Sequence, residues 1–146
     1  LRPFNHTGPG QTEEFVIPAL AGQFVKIIQG KQEPVIKVGN LKTARDFTDV
    51  HDMARAYVLA ADMGVSGEVY NVGSGHAYTI HEILNLLQEL TGTKVEIIDD
   101  TTKVRNADVP LLLADSTKFR TLTGWTPKIN LKQTLADVLE YWKDKL

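Results

Sequence analysis

The fold is decided by the stretch from Gly67 to Gly92, which reads GEVYNVGSGHAYTIHEILNLLQELTG. Residues 67–72 alternate in character and run into Gly73-Ser74-Gly75, a pattern that predicts a strand followed by a loop. The part after the loop predicts a helix, because Thr79-Ile80-His81-Glu82 matches a capping box and apolar residues then recur at helical spacing. These apolar residues are Ile83, Leu84, Leu87 and Leu90. A strand and a capped helix in succession are typical of an α/β chain.

Strands and helices continue to alternate on both sides of this stretch. Upstream, the patterns predict a helix that Thr12 caps and Gly30 ends, strands over 34–39 and 45–48, and a helix that Asp49 caps and Gly64 ends. Downstream, they predict a strand over 94–98, a helix over 116–122 and a last helix from Leu131. We therefore expect a mixed α/β fold in which residues 1–146 form a single region.

The composition excludes several classes of function. The 146 residues carry a formal net charge of −2 and include no cysteine. A near-neutral chain lacks a broad basic face, so we expect no affinity for nucleic acid or for an anionic membrane. The lack of cysteine excludes disulfides, thiolate metal sites and thiol catalysis. No apolar run is long enough to cross a bilayer, and we expect a cytoplasmic protein.

Two arginines beside predicted strands are the strongest candidate ligand-binding residues. Arg45 follows the loop 39–44, and its guanidinium fork suits a diphosphate. A surface ion pair of Arg45 with Asp46 or Asp49 is an equally open alternative. Arg105 precedes Asp108 by three residues, so the two could hold a phosphate and a ribose diol, or could form an exposed ion pair.

Loops rich in glycine supply further candidates. Asn5 and His6 lie where a strand ends in a Gly/Pro loop, and the amide of Asn5 could recognise a sugar or a base edge, or cap the backbone. The segments Gly8-Pro9-Gly10 and Gly73-Ser74-Gly75 could cradle a phosphate through backbone N–H groups. Neither segment completes a known phosphate-binding motif, so each is weak evidence for such a site.

Two other groupings favour a structural interpretation. One is a possible site for a hard metal ion, formed by Asp46, Asp49, His51 and Asp52. However, a strand that runs into a helix scatters such side chains over different faces, and Asp49 is expected to cap the helix. Tyr141 and Lys145 have the Tyr-x-x-x-Lys spacing of a dehydrogenase catalytic pair. They fall in the last helical turn with no cofactor-binding half before them, which indicates a solvated helix end.

The run Arg2-Pro3-Phe4-Asn5-His6-Thr7-Gly8-Pro9-Gly10-Gln11 resembles a signature of the extended short-chain dehydrogenase/reductases that act on nucleotide sugars, the NAD-dependent epimerase/dehydratase family. Four further matching motifs follow in order: VGNL at 38–41 with RDFTDV at 45–50, VYNVGSG at 69–75, the segment 105–110, and TGWTP at 123–127. The resemblance covers essentially the whole chain. It implies the C-terminal substrate-binding lobe with strands of a Rossmann sheet, to which residues 67–75 would return. The opening Leu1, without an initiator methionine, also favours a piece of a longer protein.

The resemblance implies an activity and a set of partners. The whole protein would be an NAD(P)H-dependent reductase of a GDP-4-keto-6-deoxy-sugar, expected to be a homodimer. A GDP-mannose 4,6-dehydratase, another nucleotide-sugar epimerase or dehydratase, and a stand-alone nucleotide-sugar binding module are the alternatives. NAD or NADP, and the Tyr-x-x-x-Lys pair with its Ser/Thr partner, would belong with a missing N-terminal cofactor half. We therefore expect no catalytic residue in this chain, no cofactor bound by it alone, and no metal.

The resemblance also implies roles for single residues. Asn5 would contact the nucleotide sugar, His6 would lie near the nicotinamide, and Val16 would pack on the guanine. Arg45 and Arg105 would grip the diphosphate, while Asp108 would hold the ribose hydroxyls. There are departures from the family pattern: Ala19 stands where the dehydratase has a lysine, which favours the reductase, and Asn106 and Asp108 replace the more usual Pro and Glu.

Overall fold

The structure, a computed structural model, describes residues 1–100 and 109–146. Five helices lie within these ranges: α1 (Val16–Ile28), α2 (Val50–Met63), α3 (Ile80–Thr91), α4 (Thr117–Thr123) and α5 (Leu131–Lys145). The strands are β1 (Arg2–Pro3), β2 (His6–Thr7), β3 (Val35–Val38), β4 (Ala44–Asp46), β5 (Thr48–Asp49), β6 (Asn71–Val72), β7 (Ala77–Thr79), β8 (Glu96–Asp99) and β9 (Leu111–Leu112). The mixed α/β class that the sequence predicts is confirmed.

The strands form small sheets in which most pairs are parallel. β1 pairs with β6, β2 with β5 and β3 with β8, all in parallel. β4 lies between two partners, antiparallel to β7 and parallel to β9. Short parallel pairs of this kind need long crossover connections, which here carry the helices. Within the described ranges, every helix is too short or too polar to span a bilayer.

Two separate apolar cores stabilise the chain. The larger core packs α1, α3 and α5 together with β3, and includes Ile17, Phe24, Ile36, Ile83, Leu84, Leu87, Leu135 and Val138. The smaller core joins α2 and α4 to β6, and consists of Met53, Ala56, Tyr70, Val72, Phe119 and Trp125. Each core buries the apolar stripe of its helices, which is the main source of helix stability in a folded chain.

Helix α1 begins later than the sequence predicts. Thr12 was expected to cap it, but the helix starts at Val16 with Phe15 as its N-cap, and Phe15 N–H donates to Thr12 O in a preceding turn (3.2 Å). Pro18 explains the difference. In the observed helix, Pro18 is the third residue, where the missing N–H has no intrahelical partner in any case. A start after Thr12 would place Pro18 in the second turn, where proline breaks a backbone hydrogen bond.

Two predicted strands are shorter than expected. The strand over 45–48 is divided into β4 and β5 at Phe47, because the chain changes partners there, from β7 and β9 to β2. The strand over 67–72 is reduced to β6, since a turn in which Glu68 N–H donates to Val65 O (3.1 Å) occupies the start. Gly67 adopts a φ of 84° in this turn, a conformation that favours glycine. The return of residues 67–75 to a cofactor sheet stays a prediction.

The predicted caps of α2 and α3 are observed. Asp49 accepts a hydrogen bond from His51 N–H (2.8 Å) at the start of α2, and Gly64 ends that helix. In α3, Thr79 Oγ1 accepts from Glu82 N–H (3.1 Å), and the Glu82 carboxylate accepts from Thr79 N–H (2.7 Å). The Thr79 N–H and the Thr79 hydroxyl both donate to the Glu82 carboxylate, and these two hydrogen bonds hold the pKa of the Glu82 carboxyl below its usual range.

Removal of the α3 cap should have a measurable, pH-dependent cost. We expect Thr79→Ala to lower the free energy of unfolding by about 1 kcal/mol, and Thr79→Ser to lower it less. Because the pKa of Glu82 is lower in the folded chain, its ionised carboxylate stabilises the fold above the unfolded pKa of about 4.3. This contribution is lost as the pH falls through the folded value. Urea unfolding at neutral and acid pH should therefore show a smaller difference between Thr79→Ala and the native chain in acid. An equal difference at both pH values would contradict the prediction.

Candidate functional site

A cavity of about 460 Å³ opens between the start of α1 and the strands β3 and β4. Its wall mixes charged, amide and apolar side chains, among them Asn5, Glu14, Phe15, Val16, Ala19, Gln23, Lys37 and Arg45. A second concavity of about 470 Å³ shares Asn5 and Phe15 with the first and adds His6, Gln11 and Leu112. The two concavities therefore share a wall, and together they form a cleft large enough for an extended ligand.

Arg45 lies in the central strand of the three-stranded sheet, where β4 pairs with both neighbours. Its Nη1 donates to Ala44 O (2.9 Å) and to Val109 O (2.6 Å). The guanidinium therefore joins β4 to the segment that begins at Val109. The predicted alternative of an ion pair with Asp46 or Asp49 is not observed. Asp46 accepts from Ser74, Gly75 and Ala114, and Asp49 accepts from His51 and Thr134.

Asn5 sits where β1 passes into β2. Its backbone oxygen accepts a hydrogen bond from Thr48 N–H (3.0 Å), which ties the segment to β5. Its side-chain amide makes no hydrogen bond to any other residue that the structure describes, so the backbone-capping alternative is not observed. Asn5 lines both concavities. His6 lines only the second concavity, and its Nδ1 lies 3.1 Å from Phe4 O.

Three of the residues singled out from the sequence thus meet at one cavity. Asn5 comes from the segment between β1 and β2, Arg45 from β4, and Val16 from the first position of α1, where it is 38% exposed. Arg105 and Asp108 lie outside the described residues. Their placement, and the convergence of Arg45 and Arg105 on one diphosphate, stay predictions.

The cavity wall contains two charged residues that were not predicted from the sequence, Lys37 and Glu14. Lys37 lies on β3 between the buried residues Ile36 and Val38, and Glu14 lies in the turn before α1. The signal for Lys37 was present in the sequence, because a lysine that alternates with apolar residues in a strand must face away from the core. The signal for Glu14 was absent, since its place in the wall follows from the late start of α1.

The aspartates around residue 50 bind the protein's own hydrogen-bond donors. Asp46, Asp49 and Asp52 are at most 3% exposed. Asp49 caps α2 and accepts from the Thr134 hydroxyl (2.8 Å), while Asp52 accepts from the backbone N–H groups of Lys128 (2.7 Å) and Ile129 (2.8 Å). Among residues 1–100 and 109–146, no group of His, Cys, Asp and Glu side chains is arranged to hold a metal ion.

The interpretation of Gly73-Ser74-Gly75 as a phosphate cradle is wrong. Gly73 N–H donates to Ser116 Oγ (2.9 Å), and the N–H groups of Ser74 and Gly75 both donate to the Asp46 carboxylate (2.8 Å each). All three donors are therefore used within the chain. In the last turn of α5, the Lys145 ammonium lies 5.6 Å from the centre of the Tyr141 ring.

Comparison with known proteins identifies the class of the chain: it matches the C-terminal part of the extended short-chain dehydrogenase/reductases, as its motifs predict. The chain belongs to the family described as GDP-mannose 4,6 dehydratase, whose model matches residues 1–138. It is 37% identical to the GDP-6-deoxy-D-mannose reductase of Pseudomonas aeruginosa over 145 residues. The matched region covers 99% of this chain and 48% of the relative.

Two further similarities agree with this assignment. GDP-L-fucose synthase 1 of Arabidopsis thaliana is 33% identical over 144 residues, which cover 96% of this chain and 44% of the relative. The solved structure of RMD from Pseudomonas aeruginosa complexed with NADPH matches with a TM-score of 0.93 and 37% identity, over 99% of this chain and 48% of that chain. The chain thus spans about half the length of the curated relatives that it matches.

Proposed function

We propose that the chain is the nucleotide-sugar-binding part of an NAD(P)H-dependent reductase that converts GDP-4-keto-6-deoxy-mannose into GDP-rhamnose. The observation that carries the proposal is the cavity in which Asn5, Val16 and Arg45 meet. Its volume of about 460 Å³ falls in the range of small-molecule sites, and its wall combines polar and apolar side chains. The membership of the family supports a nucleotide sugar as the ligand.

Each wall residue has a role in this proposal. The Arg45 guanidinium offers paired donors to a diphosphate, which a planar fork binds better than a point charge does. Val16 offers an apolar surface to the flat face of guanine, and the Asn5 amide is available to sugar hydroxyls. Arg105 would supply a second contact to the diphosphate, and Asp108 would accept from the ribose hydroxyls, while His6 would face the nicotinamide from the second concavity.

In this proposal, the site for the cofactor's pyrophosphate lies in the N-terminal half of the whole protein. The glycine-rich candidate at 73–75 has its N–H groups engaged by Ser116 and Asp46, and His6 alone cannot hold a dinucleotide. NAD or NADP supplies hydride in enzymes of this kind, and in the whole protein that chemistry would belong to the N-terminal half. This chain would bind and orient the nucleotide sugar. A homodimeric whole enzyme and a cytoplasmic location are part of the same proposal.

We expect the purified chain to reduce the keto sugar at no measurable rate, because the hydride donor site and the Tyr-x-x-x-Lys pair would lie in the N-terminal half. NADPH absorbance, followed with GDP-4-keto-6-deoxy-mannose present, measures this directly. The reductase of Pseudomonas aeruginosa serves as the positive control. Turnover by the pure chain would contradict the proposal that the residues for hydride transfer lie in the N-terminal half.

Calorimetric titration tests the ligand class. We expect the chain to bind GDP and GDP-mannose more tightly than UDP and UDP-glucose, because the wall at Val16 and Ala19 would receive a purine. Equal affinity for the two nucleotides would contradict the choice of a GDP-sugar. The family description favours one second candidate, a GDP-mannose 4,6-dehydratase. Conversion of GDP-mannose by the full-length protein, without net consumption of NADPH, would support the dehydratase over the reductase.

A further inference from the structure

We infer that Asp46 is a positioning residue for the nucleotide site: its buried carboxylate holds together the strand and loops that bring Arg45 and Asn5 to the same cavity. This inference rests on the proposed function, which gives Arg45 and Asn5 their ligand. Asp46 follows Arg45 on β4, so their side chains leave the strand on opposite faces. Arg45 lines the cavity, while Asp46 is 0% exposed behind it.

The Asp46 carboxylate accepts four hydrogen bonds from two distant segments. Oδ1 accepts from Ser74 N–H (2.8 Å) and from the Ser74 hydroxyl (2.5 Å). Oδ2 accepts from Gly75 N–H (2.8 Å) and from Ala114 N–H (3.2 Å). A carboxylate matches this arrangement because it accepts at both oxygens, whereas an asparagine would turn an NH₂ group towards N–H donors.

The first of these segments leads to Asn5. Residues 73–75 follow β6, which pairs in parallel with β1, and Phe4 N–H donates to Val72 O (2.8 Å) immediately before Asn5. Arg120 fixes the same loop from its other side, donating to Ser74 O (2.7 Å). A displacement of this loop would therefore shift the wall that carries Asn5 relative to β4.

The second segment is held by two residues of β4, Arg45 and Asp46. Arg45 donates to Val109 O at its start, and Asp46 accepts from Ala114 N–H at its end. Between these points, Arg45 lies in register with Leu112, which lines the second concavity. The packing at the far end is close: a Cβ added at Gly73 would lie 2.4 Å from Ala114 Cβ and 2.8 Å from Asp46 Oδ2. Loss of the Asp46 bonds should therefore loosen β9 and the Arg45 guanidinium together.

A matched control separates positioning from general stability. Asp52 is 1% exposed and accepts from two backbone N–H groups and Arg55, but it lies on α2 and does not line the cavity. We expect Asp46→Asn and Asp52→Asn both to destabilise the chain, and only Asp46→Asn to weaken GDP binding, by about tenfold. Equal losses of affinity in the two variants would overturn the inference.

A double variant tests whether Asp46 acts through Arg45. In the Arg45→Ala background, Asp46→Asn should weaken GDP binding by less than about threefold, because the group that it positions is already absent. Fully additive losses would overturn the inference. If Asp46→Asn does not fold, Ser74→Ala replaces it. This variant removes one of the four hydrogen bonds to Asp46, together with the hydroxyl's own bonds to the His76 backbone. We then expect a loss of about twofold that likewise disappears in the Arg45→Ala background.

Amide hydrogen exchange tests the inference without a ligand. Ala44 N–H donates to Pro110 O (2.8 Å) in the β4–β9 pair beside Arg45. In Asp46→Asn this amide should exchange at least about tenfold faster, while amides in the middle of α3 keep their protection. Unchanged protection at Ala44 would overturn the positioning role. If the native chain binds neither GDP nor pyrophosphate, the proposed function fails, and the Ala44 amide still decides whether Asp46 holds the two segments.

Discussion

Replacement of Arg45 by alanine is expected to weaken GDP binding by about 10- to 150-fold. This corresponds to about 1.5–3 kcal/mol, the loss typical of a hydrogen bond to a charged group. The reason is that Arg45 lines the cavity and its guanidinium is anchored by a hydrogen bond to Val109 O. A preformed fork loses little conformational entropy when it pairs with a diphosphate, so most of its interaction energy contributes to affinity. Titration of the native chain and the variant measures the loss.

Three controls make this result specific. Arg45→Lys keeps the charge without the planar fork, and should bind GDP with intermediate affinity. Arg55→Ala removes an arginine that pairs with Asp52 away from the cavity, and should leave the affinity unchanged. Guanosine lacks the diphosphate, so its affinity should not distinguish the native chain from Arg45→Ala. Urea unfolding of each variant is needed because Arg45 also bonds to its own backbone neighbours. Equal GDP affinities for the native chain and Arg45→Ala would contradict the role of Arg45.

The sequence predicts the fold best where the signal is local. The capping box at Thr79 and Glu82 involves residues three positions apart, and it is present in the structure with both reciprocal hydrogen bonds. The start of α1 shows how a local signal can mislead. Thr12 followed by two glutamates has the composition of a helix start, but the requirement that Pro18 lie in the first turn overrides it. Both signals are present in the sequence, and the restriction that Pro18 places on the helix start outweighs the capping preference of Thr12.

The sequence predicts the candidate site only in part, because the wall of a cavity depends on contacts between distant segments. Arg45 and Asn5 could be selected since both lie beside strands and loops, where ligands bind in α/β folds. The capping of α2 by Asp49 could be predicted, whereas the other contacts of the buried aspartates could not. Asp46 meets Ala114, which is 68 positions away, and Asp49 meets Thr134, which is 85 positions away. The sequence predicts only that these carboxylates point to different faces, and the fold gives each a separate set of donors.

A large loss of stability is expected at Trp125, which fills the centre of the smaller core. Its side chain is 1% exposed, its ring centroid lies 6.0 Å from that of Phe119, and its indole N–H donates to Asp52 O (3.0 Å). Trp125→Ala should lower the free energy of unfolding by about 3–5 kcal/mol, through lost burial and the cavity left behind. This is a large share of the roughly 5–15 kcal/mol that stabilises a typical domain. Urea unfolding with fluorescence and circular dichroism measures the change.

The variant Trp125→Phe separates packing from hydrogen bonding at this position. It keeps an aromatic ring but removes the indole N–H, so Asp52 O loses its donor, and the expected cost is about 1–3 kcal/mol. Because no residue of the smaller core lines the 460 Å³ cavity, folded Trp125→Phe should bind GDP as the native chain does. A loss of GDP affinity without a change of stability would show that the smaller core contributes to the nucleotide site.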